Sequence, residues 1–383
     1  MDLIATTSFG LEAVVARELK QLGYDDIVVE DGRVTFAGDE VAICRTNLWL
    51  RSAERVHVKL ASFTATDFGE LFDRTKELPW NEWLPVDACF PVSGTSIRSK
   101  LASVRNCQSL VKKAIAEQLK GIYQKDWFDE EGAEYPVEIS ILKDRVTLTL
   151  DTSGTGLHKR GYRKLTGIAP LRETLAAGLV QLSYWNRERP FLDPFCGTGT
   201  IPIEAALIGR NIAPGLNREF AAESWPRVPT ELWDEARAEA RDLEQPRPEF
   251  TLVATDVDDE ALSMARYHAR EAGVEEDIHF QQKNVKDLTT QRKYGCLITN
   301  PPYGQRMGED RELKELYVEL SYGLADLETW SIYVLTAYPD FERLIGEKAD
   351  RRRKLYNARI ACTYYQYFGP PPPRKGREAG EEP

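Results

Sequence analysis

Phe191-Leu192-Asp193-Pro194-Phe195-Cys196-Gly197-Thr198-Gly199-Thr200-Ile201 is the stretch on which the fold turns. An apolar strand ends on an acid, a loop with two glycines follows, and an apolar helix runs from Ile201 to Ile208. From residue 190 onward this strand–helix alternation repeats, the mark of an α/β doubly wound parallel sheet. Thr251–Asp256, Ile278–Gln282, Cys296–Thr299 and Ser331–Thr336 are the further strands expected. Helices are expected around Ala261–Ala269, over Glu312–Leu324 and around Phe341–Glu347, then a hairpin of Lys354–Ile360 with Thr363–Phe368. The Pro/Gly/charge-rich tail 370–383 is expected to be disordered.

Ligands of such sheets bind at the carboxyl ends of the strands. Gly197 and Gly199 let the backbone come close to one. Neither GxGxxG nor GK[ST] is present, so neither a dinucleotide pyrophosphate nor a nucleoside triphosphate is indicated. Asp193 is therefore read as holding an amino group or an ordered water. Asp256, ending the second strand, sits where a ribose diol is gripped, and Asn284, just past the third, where an adenine edge could be read. Asp256 follows Asp193 by 63 residues, against about 20 in the usual arrangement. An acidic, proline-rich insertion, roughly Ile212 to Glu249, accounts for the difference.

The fourth strand runs into Asn300-Pro301-Pro302-Tyr303 and stops, since neither proline can donate to a ladder. The Asn300 amide oxygen and the Pro301 carbonyl are two acceptors for the two N–H donors of an aromatic amine. Holding both draws the nitrogen lone pair out of conjugation, and the Tyr303 ring can stack on the base. A plain strand followed by a proline turn gives the same string, so the rest of the chain must decide.

With 383 residues, two or three domains are expected. No apolar run is long enough to cross a membrane, and the first residues lack the features of a secretory leader. Six cysteines are scattered without CxxC spacing, which fits a reducing cytoplasm and gives no zinc knuckle or disulfide framework. The formal charge of −11 requires any nucleic-acid surface to be a local patch.

Residues 1–65 read as a β-α-β-β-α-β ferredoxin-like unit, with a hairpin across Asp31-Gly32. Residues 66–155 form a second α/β stretch: a helix at Asp67–Lys76, a strand at Ala88–Ser93, a helix at Val104–Gly121, and strands at Val137–Leu142 and Val146–Leu150. Between residues 98 and 125, Arg98, Lys100, Arg105, Lys112, Lys113, Lys120 and Lys125 face a single acid, Glu117. That is a candidate phosphate-contacting patch. Lys159, Arg160 and Arg163, in the glycine-rich linker 156–168, are read as further backbone contacts.

Asp193-Pro-Phe-Cys-Gly-Thr-Gly-Thr200, Asp256 and Asn300-Pro-Pro-Tyr303 together resemble the motifs of class I S-adenosylmethionine-dependent amino-methyltransferases. Leu157-His-Lys-Arg-Gly-Tyr-Arg163 and Ala169-Pro-Leu-Arg-Glu-Thr-Leu175 are similar to one branch, the THUMP-domain RNA guanine-N2 methyltransferases, whose bacterial members modify large-subunit ribosomal RNA. The resemblance covers nearly the whole chain, including Ile212-Ala-Pro-Gly215 and Ser224-Trp-Pro226 of the insertion. It implies a ferredoxin-like plus THUMP RNA-binding module followed by a Rossmann-like methyltransferase domain over 169–369. Asp193, Phe195, Cys196, Gly197, Thr198, Gly199 and Thr200 would then line the methionine side of S-adenosylmethionine. Asp256 and Val257 would meet the ribose side, Asn284 and Val285 the adenine, while Asn300, Pro301, Pro302 and Tyr303 would handle the target base, Asn300 also bordering the cofactor. Cys196 is read as a packing residue, and neither a metal nor a covalent intermediate is implied. The alternatives are transfer to tRNA guanine or DNA adenine N6, or an RNA-binding ribosome-assembly factor.

Overall fold

The computed structural model describes residues 1–164, 171–303 and 310–373. The chain divides into two units, Met1–Arg160 with Ile212–Glu244, and Gly161–Asn211 with Gln245–Pro383.

The first unit begins β1 (Asp2–Thr7), α1 (Glu12–Gln21), β2 (Ile27–Glu30), β3 (Arg33–Ala37), α2 (Glu40–Trp49) and β4 (Ala53–Thr64). It continues α3 (Phe68–Lys76), β5 (Val92–Ile97), α4 (Val104–Tyr123), β6 (Val137–Leu142) and β7 (Arg145–Asp151). Asp39 and Asp67 start α2 and α3 by accepting from Ala42 N and Glu70 N, each at 2.9 Å. One sheet, ordered β2-β3-β1-β4-β7-β6-β5, contains all seven strands. The antiparallel β4/β7 pair, from His57↔Asp151 to Thr64↔Arg145, joins the two halves expected from the sequence. β5 starts four residues later than the expected Ala88, because Pro91 has no N–H for the ladder. Only an isolated Cys89↔Glu134 bridge precedes it.

The second unit contributes α5 (Glu173–Leu182), β8 (Phe191–Asp193) and α6 (Thr200–Gly209). The insertion then supplies α7 (Thr230–Asp242) to the first unit. It was expected inside the 169–369 domain, but its apolar residues complete the other core. Trp225 stacks on Tyr135 at 4.7 Å and donates to Glu134 O at 2.9 Å. Phe220, Val228 and Trp233 join the same cluster as Leu48 and Val56.

Next come β9 (Leu252–Asp256), α8 (Asp259–Glu271), β10 (Ile278–Gln282), β11 (Cys296–Thr299), α9 (Asp310–Leu324), β12 (Ser331–Thr336), α10 (Phe341–Ile345), β13 (Arg351–Asn357) and β14 (Ile360–Tyr367). The sheet order is β10-β9-β8-β11-β12-β14-β13. The strands from β10 to β12 are parallel, and β14 is antiparallel to both its neighbours. The order reverses direction between β8 and β11, which places a switch point at Asp193 and Asn300. The closing hairpin turns earlier than expected: Asn357 pairs with Ile360, and Ala358 takes a left-handed φ of 54°. Residues 165–170, 304–309 and 374–383, including Pro170 and most of the tail, lie outside the described residues.

Candidate active site

Asp193 ends β8 with no exposed surface. Its Oδ1 accepts from Thr299 Oγ1 at 2.6 Å and from Phe195 N at 3.2 Å. Its Oδ2 is buried with no partner among the described residues. Burial pushes the carboxyl up to about 7, against the pull of those two bonds and with a further push from Asp256.

The loop after it is tied to β9. Cys196 N donates to Thr255 O at 3.0 Å, and Gly197 N donates to Asp256 Oδ2 at 2.8 Å. Gly199 takes φ 85°, and a Cβ there would meet the Ala265 side chain at 3.0 Å, so only glycine fits. Gly197 takes φ 50° with open space where a Cβ would be. Cys196 is buried, and burial beside Asp193 and Asp256 raises its thiol pKa well above the ordinary value, which keeps it protonated. Thr198 offers its carbonyl to the His268 ring, and Thr200 is buried. Asp256 also accepts from Asp258 N at 3.1 Å and retains lone pairs for a diol. Val257 beside it is exposed. Asn284 caps a short 3₁₀ turn by accepting from Lys286 N at 3.0 Å, a bond that does not use its amide N–H donors, while Val285 is buried.

Asn300 leaves β11 with its Oδ1 buried and without a partner among the described residues. Tyr317 donates to Pro302 O at 2.9 Å and shares a 2.7 Å bond with Thr336. Pro302 was expected among the catalytic residues; its carbonyl accepts from Tyr317 of α9. Asn357 donates to the Tyr303 hydroxyl at 2.9 Å, so the ring is held by its far end, and the half-buried ring packs against the cluster that holds Tyr317 and Phe341. Thr299, Tyr317 and Asn357 were missed by sequence reading. Thr299, a lone hydroxyl closing an apolar strand, was the one signal available.

A model of an RMKL-like methyltransferase domain matches residues 160–366, preceded by an RlmL ferredoxin-like domain at 2–57 and a THUMP domain at 65–151. The chain belongs to this THUMP-containing, RlmL-like family of S-adenosylmethionine-dependent methyltransferases. "Putative RNA methyltransferase YpsC" of Bacillus subtilis is 50% identical over 97% of both chains. Ribosomal RNA large subunit methyltransferase K/L of Syntrophotalea carbinolica is 34% identical over 96% of this chain, which spans only 53% of that longer protein. Two solved structures share the fold throughout. SMU.472 complexed with SAH has TM-score 0.91 and 42% identity, covering 96% of this chain and 98% of that one. A Listeria monocytogenes protein described as "a predicted N6-adenine-specific DNA methylase" has TM-score 0.92 and 49% identity, covering 96% of both.

The expected RNA contacts of this family member divide into three groups. Arg98, Lys100, Arg105 and Lys159 are exposed. Lys112 pairs with Glu130 at 2.8 Å and Lys113 with Glu117 at 3.8 Å, so both share their charge with acids. Arg160 and Arg163 are corrections. Arg160 is 3% exposed and donates to the carbonyls of Leu157 and Arg51. Arg163 pairs with Glu173 at 3.3 Å and bonds Thr200 and Leu171 O. Buried backbone carbonyls need donors, and these two guanidiniums supply them instead of facing phosphate.

Proposed function

We propose that the chain transfers a methyl group from S-adenosylmethionine to the exocyclic N2 of a guanine in large-subunit ribosomal RNA. The observation that carries this reading is the pair of buried acceptors without partners among the described residues, Asp193 Oδ2 and Asn300 Oδ1, on strands coupled through the Thr299 hydroxyl. Buried acceptors without donors are costly unless a ligand satisfies them. Asp193 fits the cofactor's ammonium, the Gly197–Gly199 backbone its amino-acid side, Asp256 with Val257 its ribose side, and Asn284 its adenine. The cofactor supplies a methyl carbon already activated by a positive sulfur.

The chain's own part is alignment and exclusion of water. Asn300 Oδ1 and the Pro301 carbonyl accept the amine's two N–H donors, which turns its lone pair out of the base plane. Tyr303 stacks on the flipped base and offsets about a few kcal/mol of unstacking. RNA as substrate is supported by the THUMP match and the exposed basic start of α4. The large-subunit target is supported by the K/L relative. Adenine N6 in DNA is the second reading, favoured by the description of the Listeria protein and by the fact that the same acceptors suit that amine.

The test is labelled S-adenosylmethionine with total RNA and DNA from a strain lacking this protein, followed by nucleoside analysis. Label in N2-methylguanosine of large-subunit RNA is expected. Label in tRNA or in N6-methyladenine overturns the assignment.

A further inference from the structure

Parallel sheets normally carry cover on both faces. In β9 and β10 the alternate residues Leu252, Ala254, Ile278 and Phe280 are buried. The opposite set, Val253 and Thr255 with their register partners His279 and Gln281, lines an open groove of about 260 Å³. The chain between β10 and β11 would ordinarily return as a helix over this face, but it holds only the 3₁₀ turn Val285–Asp287. The polar alternation of β10 shows a face made for water or for a polar ligand.

We propose that this groove binds a segment of the substrate RNA flanking the target base, a proposal that rests on RNA being the substrate. Its floor is apolar, with Leu192, Val253, Leu327 and Trp330. Its rim carries Lys283, Arg292 and His279, and no carboxylate lines it among the described residues. In a chain of formal charge −11 that is the sign a phosphate backbone selects. Arg292 donates to Thr251 O at 3.0 Å and lies 5.5 Å from the Phe250 ring centroid, which fixes the cation at the rim. Thr255, a residue 1% exposed, lines the groove, and its buried Oγ1 has no partner among the described residues. It is placed for a base edge or a ribose hydroxyl. Thr255 and Lys283 immediately precede Asp256 and Asn284, so the groove reaches the carboxyl edge of the sheet. β9 lies two strand steps from β11, about 10 Å. Nucleotides next to a base held at Asn300 can span that distance.

The experiment is photo-crosslinking of the full chain to a fluorescent 4-thiouridine-containing oligouridine, with peptide mapping and anisotropy titration over a range of salt. Crosslinks within 279–292 are expected. K283E/R292E should weaken binding at least about tenfold and lower the salt slope by about one to two units. Unaltered S-adenosylmethionine affinity shows that the variant is folded, and K283Q/R292Q replaces it if it is not. Crosslinks confined to 98–125, with slope and affinity of the variant within twofold of the parent, overturn the groove and leave its face to a protein partner. Methyl transfer is read separately on the parent chain. If no RNA is labelled, the proposed function fails, while the crosslink map still decides the groove.

Discussion

With no cation beside it among the described residues, the buried Asp193 carboxyl holds its proton up to about pH 7. The folded pKa lies above the ordinary 3.8, so this group favours the folded state at low pH and loses that contribution as pH rises through 7. Asn cannot ionise, and its Oδ1 can still accept from Thr299. Asp193→Asn should therefore raise the apo melting temperature at pH 8, with the gain shrinking as pH falls below 7 and gone only below the ordinary carboxyl value of 3.8, while cofactor affinity falls at least about tenfold. Cofactor affinity of the parent chain should fall roughly tenfold per pH unit below 7. Calorimetric titration and melts across pH check both, and a flat affinity profile would rule out an ammonium on Asp193. Asn300→Ala should keep cofactor affinity within about twofold and lower methyl transfer by about 10²–10³-fold, as loss of one preorganised group does. A ribosome-assembly factor would instead keep its cellular role in that variant. These two residues were legible in the sequence because each ends an apolar strand at a chain position where polar atoms must find partners. Arg160 and Arg163 were misread because a basic residue in a glycine-rich stretch looks the same whether it faces phosphate or a buried carbonyl.

Among the elements, α9 and the β13–β14 hairpin converge on the segment after β11 through Tyr317 and Asn357. Tyr317→Phe or Asn357→Ala should lower kcat about tenfold with little change in cofactor affinity, since small misplacements at a reacting amine are expensive. Equal losses in affinity and kcat would point to general unfolding instead. Neither partner was visible in the sequence, because each contact spans elements far apart in the chain. The hairpin turn itself was misplaced because Ala358-Arg359 carries none of the residues that ordinarily mark one. On α4, Lys112 and Lys113 already have acidic partners, so the sharper test of the basic patch is R98E/K100E/R105E. It should weaken RNA binding and lower the salt slope by about two units; an unchanged slope would remove the patch from the RNA surface.

At the scale of the whole molecule, the alternation after residue 190 and the hairpin of the first unit made both architectures readable, since period 3.6 and period 2 are local properties. Where the insertion folds was not local. Trp225, Val228 and Trp233 read as apolar residues within an acidic segment, and only long-range packing assigns them to the core of Met1–Arg160. Trp225→Ala should cost the first unit about 3–5 kcal/mol, measured by denaturant titration, and a loss under about 1 kcal/mol would mean the stack on Tyr135 contributes little. This interleaving also bears on synthesis. Nascent domains usually fold in order of emergence, but here the amino-terminal core is incomplete until Glu244 has left the ribosome, after β8 and α6 of the other unit. A chain arrested before that point carries the exposed start of α4 but lacks the last part of its own core, so a stalled or truncated product is an unstable RNA binder and a ready substrate for proteolysis.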